Sequence, residues 1–125
     1  MPSSLATILS AANEQESPLV AVLGQDDTFE GTILQVGGAP VDLTAGDVGL
    51  TYKVLAYYQA AVPEMTLTKS GGAITGNAEG EYSVLCSSAA KATAGLRPGQ
   101  YYYTLVLTAA GGSSDMVARG PLYVV

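Results

Sequence analysis

Eleven carboxylates and one thiol are the side chains of this sequence best suited to chemistry, and histidine, the usual catalytic base, is absent. Asp26, Asp27 and Glu30 stand close enough to share a hard cation, as do Asp42 and Asp47. Calcium takes carboxylate oxygens from such groups, but neither spacing is that of an EF-hand loop, so both read as solvated turn acids. Glu79 and Glu81 fall on the same side of an expected strand, where paired carboxylates could flank a glycosidic bond. The polar alternation around them is that of a solvated sheet face. Cys86 lies on the inward face of its strand, where a free cysteine behaves as a small hydrophobe. Gly71–Gly76 has the glycine spacing of a phosphate loop, yet Asn77 replaces the lysine and no helix follows. It reads as a turn. No catalytic, cofactor-binding or metal-ligating residues are assigned, and an enzyme is not expected.

The tyrosines offer a different use. In Tyr101-Tyr102-Tyr103 strand alternation sends Tyr102 to the face opposite its neighbours, and Tyr57-Tyr58 divide in the same way. At least two tyrosines therefore face outward. Exposed tyrosine brings large contact area to an interface and can also stack on sugars, while a cross-strand pair that stiffens the sheet is an equal account of any one of them.

These residues need a scaffold, and 125 residues are enough for one domain with one core. Charged residues form 13% of the chain, about half the usual share of roughly 25%. Small polar residues, glycine, or burial against neighbouring subunits must cover the rest of the surface. Residues 1–52 contain seven acids (Glu14, Glu16, Asp26, Asp27, Glu30, Asp42 and Asp47) and no lysine or arginine; the remainder carries five basic and four acidic residues. Nucleic acid is a poor partner for such a chain, because phosphate binding needs clustered cations. A cationic protein surface is a better one. No basic leader precedes Leu5–Leu9, and no apolar run approaches the roughly 18 residues of a membrane helix. A soluble protein made in a cytoplasm is expected, and a lone cysteine leaves stability to the sheet core.

Leu5, Ile8, Leu9 and Ala12 recur at helical spacing within Ser3–Asn13, an amphipathic stripe with Ser3 or Ser4 as its cap. Pro18 halts it. Residues 1–17 are thus read as a helical arm that either folds back on its own domain or lies on a neighbour. From Leu19 the period becomes that of strands: Leu19–Leu23, Thr28–Val36 with Phe29 and Ile33 on one face, and Val48–Tyr57 with Leu50, Tyr52 and Val54 inward. Short strands follow at Met65–Leu67, around Ile74 and at Tyr82–Cys86; Ser88–Gly95 is a helical turn or two stopped by Gly95 and Pro98. Tyr101–Thr108 and Met116–Val125 form a hairpin across Gly111-Gly112-Ser113-Ser114. About seven short antiparallel strands over 18–125, with turn signals every 8 to 12 residues, make an all-β, immunoglobulin-like sandwich. Because the last strand closes at Val125, no appended fibre, coil or catalytic domain is expected.

Four segments carry a resemblance: Asp27-Thr28-Phe29, Gly38-Ala39-Pro40-Val41-Asp42-Leu43-Thr44, Pro98-Gly99-Gln100-Tyr101-Tyr102-Tyr103 and Val117-Ala118-Arg119-Gly120-Pro121-Leu122-Tyr123-Val124. In order and spacing they resemble immunoglobulin-like accessory domains of tailed-phage virions, including the N-terminal domain of baseplate upper proteins. The resemblance spans about residues 25–125. It departs at Gln25-Asp26, where such domains usually have Gly before Asp-Thr, and at Ala45, where Gly often follows Leu-Thr. It implies a virion structural role and no active site.

The function expected is a non-enzymatic virion protein that docks on other subunits, foremost as capsid decoration or cement on the major capsid protein. The first alternative is a tail or baseplate adaptor that attaches fibres or receptor-binding proteins, and the second is a host glycan-binding module. Leu5, Ile8, Leu9, Ala12, Tyr58 and Tyr102 are the expected interface residues. Homo-oligomers are compatible with this reading; nucleic acid and membrane are not expected partners. The location expected is the virion, after synthesis in the host cytoplasm.

Overall fold

The computed structural model describes residues 15–16, 18–34, 38–109, 112 and 114–125. The expected helix over Ser3–Asn13, with Leu5, Ile8, Leu9 and Ala12, lies outside these residues.

Nine strands and one helix are found among them: β1 (Gln15–Glu16), β2 (Leu19–Ala21), β3 (Asp27–Thr32), β4 (Gly49–Leu55), β5 (Met65–Thr68), β6 (Ile74–Gly76), β7 (Glu81–Cys86), α1 (Ser88–Ala94), β8 (Gly99–Thr108) and β9 (Ser114–Val124). They form two sheets. The larger runs β1-β9-β8-β4-β5, with β2 also on β9, and the smaller runs β3-β7-β6. Placing β4, β8 and β9 in one sheet and β3, β7 and β6 in the other reproduces the strand order of an immunoglobulin sandwich. The chain has an immunoglobulin-like β-sandwich fold.

Alternation explains most of the strands. In β4, Leu50, Tyr52 and Val54 are buried while Thr51 and Lys53 face the other way, and in β7 Val84 and Cys86 are buried. The hairpin of β8 and β9 pairs from Gly99↔Val124 to Thr108↔Ser114, with one register shift after Leu105. The short helix forms where expected. Ser87 caps it by accepting from the Ala90 amide at 3.1 Å, and Gly95 closes it with its own N–H on the Ala92 carbonyl.

Three features depart from the sequence reading. β1 and β2 run parallel to β9, with Gln15↔Ala118 and Leu19↔Leu122, so Gln15 and Glu16, assigned to the arm, belong to the edge of the large sheet. The gap between β1 and β2 stands opposite Pro121, which has no N–H to offer a neighbouring strand there. β3 ends at Thr32, and only the isolated bridge Leu34↔Pro40 follows it. Glu79 lies in the turn before β7 and does not share a strand face with Glu81. Asn77 organises that turn: its Oδ1 accepts from the Glu79 and Glu81 amides, each at 3.0 Å, and its Nδ2 donates to Glu81 Oε1 at 2.8 Å. Gly80 completes the turn with φ +79°, and a Cβ there would sit 2.3 Å from the Ile33 carbonyl oxygen. Only glycine fits both the backbone angle and the space.

At the centre Tyr52 of β4 lies between Phe29 of β3 and Tyr103 of β8, with ring centroids 6.0 and 5.7 Å away. Immunoglobulin domains place a tryptophan and an inter-sheet disulfide at the corresponding strands. Three aromatic rings bridge the sheets here. Two residues before Tyr103, the Tyr101 hydroxyl accepts a hydrogen bond from the Arg97 amide at 3.0 Å, the corner contact of immunoglobulin-type sandwiches.

Candidate interaction surface

The outer face of the large sheet gathers apolar side chains that the alternation of its strands turns away from the core. Register puts Leu55, Tyr102 and Pro121 in one row across β4, β8 and β9, and Gln100, Tyr123 and Val20 in the next. Tyr58, from the loop after β4, meets Tyr102 edge-on with centroids 4.9 Å apart. The two tyrosines named from the sequence as interface residues are thus partners of one another. Their contact joins the loop to the sheet rather than one strand to the next, and Tyr58 still exposes 52% of its surface.

The same loop exposes Tyr57 at 67% and Val62 at 74%. Its turn is closed by the Ala60 amide on the Tyr57 carbonyl at 3.1 Å, with Gln59 at φ 66°. A left-handed conformation in a residue with a side chain costs about 1–2 kcal/mol. The Ala60–Tyr57 hydrogen bond closes the turn presenting Tyr57 and Tyr58 against that cost. The missed members of the patch are Val20 and Tyr123, whose outward position depends on strand pairing that alternation does not reveal, and Val62, which the loop after β4 exposes.

A third row, Lys53, Thr104 and Arg119, crosses the same face beside the apolar rows. The other two lysines serve the fold. Lys69 Nζ donates to the Ala45 and Val48 carbonyls at 3.2 Å each, stitching the loop before β4. Lys91 is fully buried, donating to the Val22 carbonyl at 2.6 Å, the Gln25 carbonyl at 2.7 Å and the Asp27 carboxylate.

Three of the five acids considered as cation ligands are bound to separate partners. Asp27 pairs with Lys91, and Asp26 accepts from the Ser88 amide at the start of α1, at 2.9 Å. Asp42 accepts from the Thr44 hydroxyl at 2.6 Å and amide at 2.9 Å, and these bonds hold its carboxyl below the ordinary value. Cys86 is buried, and burial, reinforced by Asp27 and opposed by Lys91, pushes its thiol up to about 11. Gly71–Gly76 is a turn only in its first half, since Ile74–Gly76 forms β6. The outer face of the small sheet is acidic and hydroxyl-rich, with Glu30, Thr32, Thr75, Glu81 and Ser83 lining an open depression.

No family model matches the chain, and no curated protein matches it. Among solved structures, murine CRIg is similar at 10% identity and a TM-score of 0.42, covering 86% of this chain and 92% of that one. Extracellular domains 3–5 of Drosophila OTK are similar at 15% identity and 0.35, over 89% of this chain and 33% of theirs. A family 123 glycoside hydrolase from Clostridium perfringens reaches 10% identity and 0.29, and this chain spans 23% of its length. The fold assignment rests on strand order and the core contacts.

Proposed function

We propose that this chain is a non-enzymatic structural subunit of a tailed-phage virion, docking on other virion proteins through the outer face of its large sheet. The observation that carries the docking surface is the Tyr58–Tyr102 pair, partly exposed, with Pro121 and Tyr123 beside Tyr102 by strand register and Tyr57 and Val62 exposed on the loop that carries Tyr58. Aromatic anchors held in place before binding lose little side-chain freedom on contact. Burying one such side chain contributes about 1.5–3 kcal/mol. The virion assignment is supported by the four motif segments, which fall on defined parts of the sandwich: the start of β3, the turn stapled by Asp42, the tyrosine corner and β9.

Capsid decoration is the preferred location, with a tail or baseplate adaptor using the same mechanism at lower copy number. Shells and virions lacking the subunit, mixed with purified protein and counted by quantitative gel and imaging, separate the two. Hundreds of copies on the head support decoration, and a handful confined to the tail support the adaptor. Binding to neither, with affinity for host glycan instead, overturns the virion reading.

A further inference from the structure

An open strand edge and a cleft lie away from the tyrosine face, between the two sheets. Among the described residues β3 is the outer strand of the small sheet and has a neighbour on one side only. The Ile33 amide donates to the Gly80 carbonyl at 2.8 Å, which fixes the phase of the antiparallel ladder. Phe29 and Gly31 therefore exchange bonds with β7, while the backbone groups of Thr28, Glu30 and Thr32 point to the open side. Beside this edge is a cleft of about 200 Å³ between the sheets, walled by Leu19, Phe29, Tyr52, Tyr82, Tyr103 and Ala118, with Glu30 also lining it. Tyr52 is 1% exposed, and its hydroxyl has no hydrogen-bond partner among the described residues. A buried hydroxyl without a partner is costly, and an occupant that supplies an acceptor removes the cost. Gly31 keeps the edge free of side chain at this level: a Cβ there would lie 2.4 Å from the Tyr82 hydroxyl oxygen.

We propose that β3 accepts an extended, basic segment of a partner protein as an added strand, with one tyrosine of that segment inserted into the cleft. An unpaired edge is a template for such a strand. The cleft admits one aromatic side chain, and the Tyr52 hydroxyl calls for a polar tip on it. The charge comes from the surroundings: Glu30 on β3 itself, exposed at the cleft margin, with Asp26 and Glu81 exposed on neighbouring parts of the small-sheet side. Residues 1–14 of this chain contain Glu14 and no lysine or arginine, so they lack the complementary charge. The inference goes beyond the proposed function, since it uses a different surface.

The test is an NMR and hydrogen-exchange titration of the full chain with the synthetic peptide Lys-Thr-Lys-Tyr-Lys-Thr-Lys. Expected are protection and shifts of the Thr28, Glu30 and Thr32 amides, about tenfold weaker binding by Glu30→Lys, and weaker binding of a peptide with phenylalanine for tyrosine. Tyr52→Phe should erase the preference between the two peptides. No change at β3, or equal binding by Glu30→Lys, overturns the proposal. Protection already present without peptide and released by deleting residues 1–14 also overturns it, in favour of the chain's own segment. The Tyr58→Ala/Tyr102→Ala variant should bind the peptide normally, so this result stands or falls apart from the tyrosine face.

Discussion

Lys91 reaches from α1 to Asp27 at the head of β3, and with the Val22 and Gln25 carbonyls the carboxylate surrounds a fully buried ammonium with three acceptors. The Asp27 carboxylate also accepts the Val22 amide at 3.0 Å, so one contact ties the helix, the end of β2 and the start of β3 together. Desolvation of two charges is offset only when every donor is satisfied, and here it is.

Removing one member of that pair should be severe. Lys91→Met leaves the Asp27 carboxylate largely buried without its cation and two carbonyls without their donor, a loss of about 3–5 kcal/mol. Urea unfolding measures it. Lys91→Met combined with Asp27→Asn should be less destabilised than the sum of the two single variants, because the stranded charge is gone.

Tyr101→Phe deletes only the hydroxyl that accepts the Arg97 amide. The expected cost is about 0.5–1.5 kcal/mol with unchanged spectra, because the ring remains in place. A null effect in chemical unfolding would remove this corner from the account of stability.

Alkaline pH should destabilise the fold. Burial raises Cys86 from 9.0 to about 11, and it raises the Tyr52 and Tyr82 hydroxyls above their ordinary 10.0. Each holds its proton more tightly folded than unfolded, so the full stabilisation is present below pH 9.0 and declines as pH rises through about 11. Urea midpoints across this range should fall, and Cys86→Ala should make the fall shallower. In the native protein near neutral pH the thiol should react with a disulfide reagent far more slowly than in urea.

Much of the sandwich was legible because its strands are half-buried: β4, β7 and the β8–β9 hairpin announce themselves by alternation and by Gly-rich turns. Alternation identifies a face, never a pairing partner. The parallel attachment of β1 and β2 to β9 was therefore invisible, and with it the exposure of Val20 and Tyr123. Glu79 was misplaced because the Asn77 turn imitates the polar alternation of a strand edge. Lys91 sat in an Ala-rich helical stretch with nothing to mark a buried cation; its three acceptors come from segments more than sixty residues away in sequence. At the candidate surface, alternation gives Tyr102 correctly, but Tyr57 and Tyr58 do not divide between two faces: both lie in the loop after β4 and both are exposed. That Tyr58 touches Tyr102 depends on the conformation of this loop.

Docking through the outer face of the large sheet is the central claim, and binding of the Tyr58→Ala/Tyr102→Ala variant to particles lacking the subunit tests it most directly. Both side chains lie outside the core, so the variant should fold with a stability loss of about 1 kcal/mol or less, mainly the lost ring pair. Bound copies should fall at least about a hundredfold at limiting protein, as expected when two aromatic anchors worth about 2 kcal/mol each are removed. A folded variant that fills the particles as the unaltered chain does would contradict the account.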